Sequence, residues 1–93
     1  YLTVAAMLAG ALYGIENKLL PPAVTTGDAA ELELPGAQKL PRFWGDALQR
    51  FEQSEFIAGY LGEEFQTVYA QSKRSEKAEF DSRVTLLEYD AYL

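Results

Sequence analysis

The chain has 93 residues, 48% of them hydrophobic, and carries 14 acidic against 8 basic side chains, for a net charge of −6. That length holds one domain at most, the apolar fraction is that of an ordinary folded protein, and the acidic balance argues against a nucleic-acid binder, which needs a basic face to release counterions from phosphates. With neither His nor Cys in the sequence, Ser–His or Cys–His nucleophilic chemistry, disulfides and His-based zinc sites are impossible within these residues.

Residues 1–20 are expected to form one helix. Residues 1–15 carry no charge, and Glu16, Asn17 and Lys18 follow too early for a membrane span, which needs about 20 apolar residues. Nothing basic precedes the run, so it does not read as a signal peptide either. Ala6, Gly10 and Gly14 recur at i, i+4, i+8 and make a groove of small residues. Val4, Leu8, Ile15 and Leu19 line a bulkier face. A helix apolar all round is buried on several sides. Its two glycines cost about 0.5–1 kcal/mol each relative to Ala, so close packing is expected to compensate. A chain this short offers few partners for such a helix. That, and an opening at Tyr1 inside an apolar pattern, suggests a segment of a longer protein, with a processed mature chain as the alternative.

Pro21 and Pro22 are expected to stop this helix, because proline disfavours helical backbone in the residue before it. Residues 21–41 then read as a loop with four prolines, two glycines and no helical period. It is either a surface connector or a functional loop laid over a larger body. Leu32, Glu33 and Leu34 alternate, but the run is too short to be a strand.

Helices are expected at about 43–53, 55–61, 63–83 and 85–93, so the fold class is mainly α. The first carries Trp44, Leu48 and Phe51 as its apolar stripe. Ser54 is a good N-cap for the second. Gly62 punctuates, and Glu63 and Glu64 sit in the next first turn, where the helix dipole favours anions. Phe65, Val68 and Tyr69 are expected to anchor the start of the long helix, and Phe80 with Val84 its end, with wet polar turns between. Thr85 with Glu88 fits a capping box for the last helix, which carries Leu86, Leu87, Tyr89 and Tyr92.

The candidate chemistry is thin. Glu63 and Glu64 point about 100° apart on a helix and do not share a site. Glu76, Glu79 and Asp81 lack the Glu-x-x-His of a di-metal centre. Lys73, Arg74 and Lys77 form the one basic cluster, and those three acids surround it, so a solvated face with ion pairs such as Glu79 with Arg83 is expected instead of a phosphate site. Phe43, Trp44 and Phe51 at helical spacing read as packing, with a ring-stacking platform as the functional alternative. Tyr89 and Tyr92, flanking Asp90, either pack at the edge of this chain or insert into a neighbouring subunit. The seven glycines spell no phosphate-binding loop. The expected site content is therefore no catalytic residue, no cofactor-binding residue and no metal ligand.

Two blocks together resemble the C-terminal end of the glutamine synthetase family. The first, YLTVAAMLAGALYGIENKLLPP, covers residues 1–22 and is similar to the family helix that follows an Asn-Pro pair, with Tyr1 as the Tyr after that pair. The second runs through residues 40–93 and carries LPRFWGDAL, LGEEF, KRSE and VTLLEYDAYL in the family's order. The resemblance covers the chain except the loop 23–39. The Trp44 position, the SEFI run and the LEYDAYL finish are more like the gamma-glutamylpolyamine synthetases than the ammonia-using enzymes.

The resemblance implies the C-terminal helical segment of an α+β catalytic domain, 1–93 being part of it. It implies an ATP-dependent ligase that joins the γ-carboxylate of glutamate to an amine, with ATP and Mg²⁺ or Mn²⁺ held by upstream residues. It further implies a homo-oligomer of stacked rings, packed against the rest of its own domain, in the cytoplasm, with no nucleic-acid or membrane partner. Some family members carry a nucleotide-accepting tyrosine in a loop that matches Gly27–Glu31 here. Ala30 stands in its place, so no adenylylation is expected. Ammonia as the amine, and a free-standing acidic helical interaction module with no catalysis, are the alternatives.

Overall fold

The computed structural model describes residues 1–33 and 39–92. Leu34 of the alternating run, the rest of 34–38 and the final residue 93 lie outside them. The described residues contain five α-helices, one short 3₁₀ turn and no strand. The chain divides into two units, Tyr1–Lys39 and Leu40–Leu93.

In the first unit, α1 spans Leu2–Glu16. It ends four residues before the expected position, and proline is not what ends it. The amide of Leu19 donates to the Gly14 carbonyl (3.0 Å) and that of Lys18 to the Ile15 carbonyl (3.2 Å). Lys18 has φ of 50°. These two bonds around a left-handed residue form a Schellman motif, which satisfies carbonyls that the last turn leaves open. The Asn17 side chain adds a third donor, 2.9 Å from the Tyr13 carbonyl. Pro21 and Pro22 therefore lie beyond a helix already closed. A left-handed lysine is costlier than glycine there. Lys18→Gly is expected to hold or raise the thermal midpoint, whereas Lys18→Val lowers stability by about 1–2 kcal/mol.

No residue of α1 is buried. Val4, Met7, Leu8, Leu12 and Ile15 all stand exposed. The expectation of a helix buried on several sides is not met within its own unit. A Cβ added at Gly10 or Gly14 would meet nothing within 4 Å, so no neighbour here requires the small-residue groove. Beyond α1, Ala29–Glu31 forms the 3₁₀ turn, started by Asp28, whose carboxylate accepts from the Ala30 amide at 2.9 Å. The loop 21–41 thus contains one ordered turn that its sequence period did not reveal.

The second unit holds α2 (Trp44–Glu52), α3 (Glu55–Leu61), α4 (Glu63–Asp81) and α5 (Leu86–Tyr92). The long helix α4 packs against both α2 and α3. Ser54 caps α3 as expected, its hydroxyl accepting from the Ile57 amide at 3.1 Å. Gly62 joins α3 to α4 with φ 93° and ψ 142°. Positive φ of this kind is open to glycine and strained for other residues.

The inner stripe of α4 is Gln66, Tyr69, Ala70, Lys73 and Lys77, all buried or half-buried. That spacing of i, i+3, i+4, i+7 and i+11 is one face of a helix. Ala70 and Leu48 are the buried apolar side chains of the described residues. Small Ala70 lets the helices approach, and Gly45 on α2 lies where an added Cβ would sit 3.6 Å from Lys77 Cε. Lysine stems cover the apolar surface while their heads reach water. The anchoring expected of Phe65 and Val68 is only partly met. Phe65 stacks on Tyr69 with centroids 5.6 Å apart, but Val68 is 60% exposed. At the other end Phe80 is 66% exposed and Val84 73%. Tyr69 thus faces the helices α4 packs on, whereas Val68 stands largely exposed and Phe80 meets them only at its edge.

Candidate functional site

The most constrained polar group is Gln66, only 8% exposed. Its side-chain amide donates to two main-chain carbonyls, Phe51 at 2.6 Å and Ser54 at 3.0 Å. Those carbonyls flank the α2–α3 junction, where helix ends leave acceptors unsatisfied. One buried side chain therefore ties α4 to the corner between the two helices it packs on. No buried side-chain polar atom of the described residues lacks a partner. Beside Gln66 a cleft of about 250 Å³ is lined by Glu52, Thr67, Ala70, Gln71 and Arg74. Arg74 crosses it to pair with Glu52, which joins α4 to α2 a second time.

The basic cluster is neutralised residue by residue. Lys73 pairs with Glu76 at 2.8 Å, Lys77 with Asp81 and Arg83 with Glu79. The hydrogen bond that Lys73 donates to Glu76 raises the Lys73 pKa above its ordinary value. Its ammonium also lies 5.5 Å from the Tyr69 ring centroid. Exposed pairs of this kind contribute about 0–1 kcal/mol each. They match the expected solvated face, including Glu79 with Arg83.

Trp44 and Phe51 meet α4 at separate points. Trp44 lies 6.4 Å from Phe80 and Phe51 lies 5.3 Å from Tyr69, ring centroid to ring centroid, both tilted. That is inter-helix packing and makes no continuous stacking surface. Phe43 stands exposed. Glu63 and Glu64 occupy the first turn of α4, as the dipole favours. Tyr89 and Tyr92 are both exposed on α5, so packing at the edge of this chain does not bury them.

The capping box of α5 is formed. The Glu88 amide donates to the Thr85 hydroxyl at 3.2 Å, and the Thr85 amide donates back to the Glu88 carboxylate at 2.8 Å. The backbone bond from Thr85, then the hydroxyl bond, hold the Glu88 pKa below its ordinary value. A depressed carboxylate stabilises the fold above its unfolded pKa, and that contribution is lost as pH falls through the folded value. Amide protection of α5 is expected to weaken on acidification through the Glu88 titration. In Glu88→Gln that acid-dependent change should be absent.

Among the described residues no group of three His, Cys, Asp or Glu side chains could hold a metal ion. What the second unit offers is a braced three-helix corner carrying outward apolar side chains.

The family model described as "Glutamine synthetase, catalytic domain" matches residues 1–92. The chain belongs to the glutamine synthetase family. Among its relatives, glutamine synthetase of Mycolicibacterium smegmatis is 37% identical over the whole chain and 22% of the relative's length. Gamma-glutamylputrescine synthetase PuuA of Escherichia coli is 35% identical over 97% of this chain and 18% of its own length. Glutamate–isopropylamine ligase of a Pseudomonas species is 37% identical over the whole chain and 20% of its length. The chain thus spans about a fifth of the curated relatives it matches. No solved structure matches it significantly. Membership of the glutamine synthetase family agrees with a mainly helical segment of that catalytic domain. The free-standing module has no such match in its support.

Two features were missed in the sequence. Gln66 sits in a mostly polar stretch and only the fold gives it two carbonyls to bind. Its one trace is a place four residues before Ala70 on the stripe of small and polar residues. Lys18 carried no signal for a left-handed turn, since glycine is the usual residue there.

Proposed function

We propose that this chain is the C-terminal helical part of an ATP-dependent ligase that joins the γ-carboxylate of glutamate to an amine. The family match over residues 1–92 carries the reading. In the proposed reaction the γ-carboxylate takes the terminal phosphoryl group of ATP, releasing ADP and forming γ-glutamyl phosphate. The amine attacks the acyl carbon, phosphate leaves, and the amine nitrogen gives up a proton as the amide forms. ATP and Mg²⁺ or Mn²⁺ belong to the other parts of the catalytic domain. This segment supplies support: α1 packs within the domain, and the α2–α4 corner with α5 serves ring assembly in the cytoplasm.

An organic amine such as putrescine is the proposed co-substrate. Relatives named gamma-glutamylputrescine synthetase and glutamate–isopropylamine ligase, at 35% and 37% identity, support it. Ammonia is the second reading, favoured by a relative named glutamine synthetase at 37%. The full-length protein is expected to release ADP only when ATP, glutamate and an amine are all present, and product mass identifies the amine. The isolated 93-residue chain is expected to turn over no ATP. ATP turnover by that chain, or ADP release from the full-length protein that ignores glutamate, contradicts the proposal. With Ala30 at the matching position, mass spectrometry should find no nucleotidyl group in the 23–39 loop.

A further inference from the structure

We draw no further inference here: the strongest candidate, the open cleft between α2 and the end of α4 where Trp44 and Phe80 stand beside Glu76, Glu79 and Arg83, carries nothing, because both carboxylates already hold the chain's own Lys73 and Arg83 and nothing in the structure shows what covers its exposed aromatic edge.

Discussion

Gly62→Ala is expected to destabilise the protein by about 1–3 kcal/mol, the cost of holding a residue with a Cβ in a glycine-only backbone region. Gly62 has φ 93° and ψ 142° and serves two helices at once. Its amide closes α3 on the Ala58 carbonyl, and its carbonyl accepts from the Gln66 amide, each at 3.0 Å. An added Cβ would meet nothing within 4 Å, so the penalty is torsional and not a clash. If the backbone relaxes to escape it, the start of α4 rotates and Gln66 loses its aim. Gly59→Ala is the control. Gly59 lies inside α3 with ordinary φ and open space around its Cα, so alanine there should stabilise by about 0.5–1 kcal/mol. Thermal unfolding of the two variants in the full-length protein should shift in opposite directions. Equal shifts would mean that the Gly62 conformation is not needed.

Gln66→Leu is the second large effect, with an expected loss of about 1–3 kcal/mol for leaving buried acceptors unsatisfied. Leucine nearly preserves the volume but donates nothing to the Phe51 and Ser54 carbonyls. Each carbonyl keeps one backbone donor, Ser54 N at 3.3 Å to Phe51 and Ala58 N at 3.1 Å to Ser54, which places the loss below that of two fully orphaned groups. Gln66→Glu separates packing from hydrogen bonding. Its ionised carboxylate would face two carbonyl oxygens in a desolvated corner, so the variant should be less stable than Gln66→Leu at neutral pH. Burial raises a carboxyl pKa. The folded variant therefore binds its proton more readily than the unfolded one, and its deficit should shrink as pH falls. Denaturation midpoints at two pH values read this directly. A Gln66→Glu deficit independent of pH would show that the amide is not buried against those carbonyls.

Helix positions were legible where local chemistry sets them. Ser54, Gly62 and the Thr85–Glu88 box each satisfy or free backbone groups within a few residues, so their roles follow from residue type and spacing. The four later helices lie within two residues of expectation. The end of α1 was not legible, because the Schellman closure uses a lysine where glycine is the common signal. Burial was legible least. Val4, Leu8, Val68 and Phe80 carry the pattern of core residues, yet they are exposed on this chain. On the proposed reading, surfaces elsewhere in the catalytic domain set that pattern. Of the candidate chemistry, the ion-paired basic face was legible, because Glu79 and Arg83 stand at i,i+4 on one helix and pair there.

On the proposed reading α1 is an inner helix of a larger catalytic domain. Covering its exposed Val4, Met7, Leu8, Leu12 and Ile15 would stabilise by about 1.5–3 kcal/mol per fully buried side chain. A helix so covered opens only with its surroundings, while a bare one of 15 residues frays readily. Amide hydrogen exchange over Leu2–Glu16, compared between the full-length protein and the isolated chain, measures this directly. The expected result is strong protection in the full-length protein and rapid exchange in the isolated chain. Equally rapid exchange in both would mean that nothing covers α1, and the account of this chain as part of a glutamine synthetase catalytic domain's interior would fail.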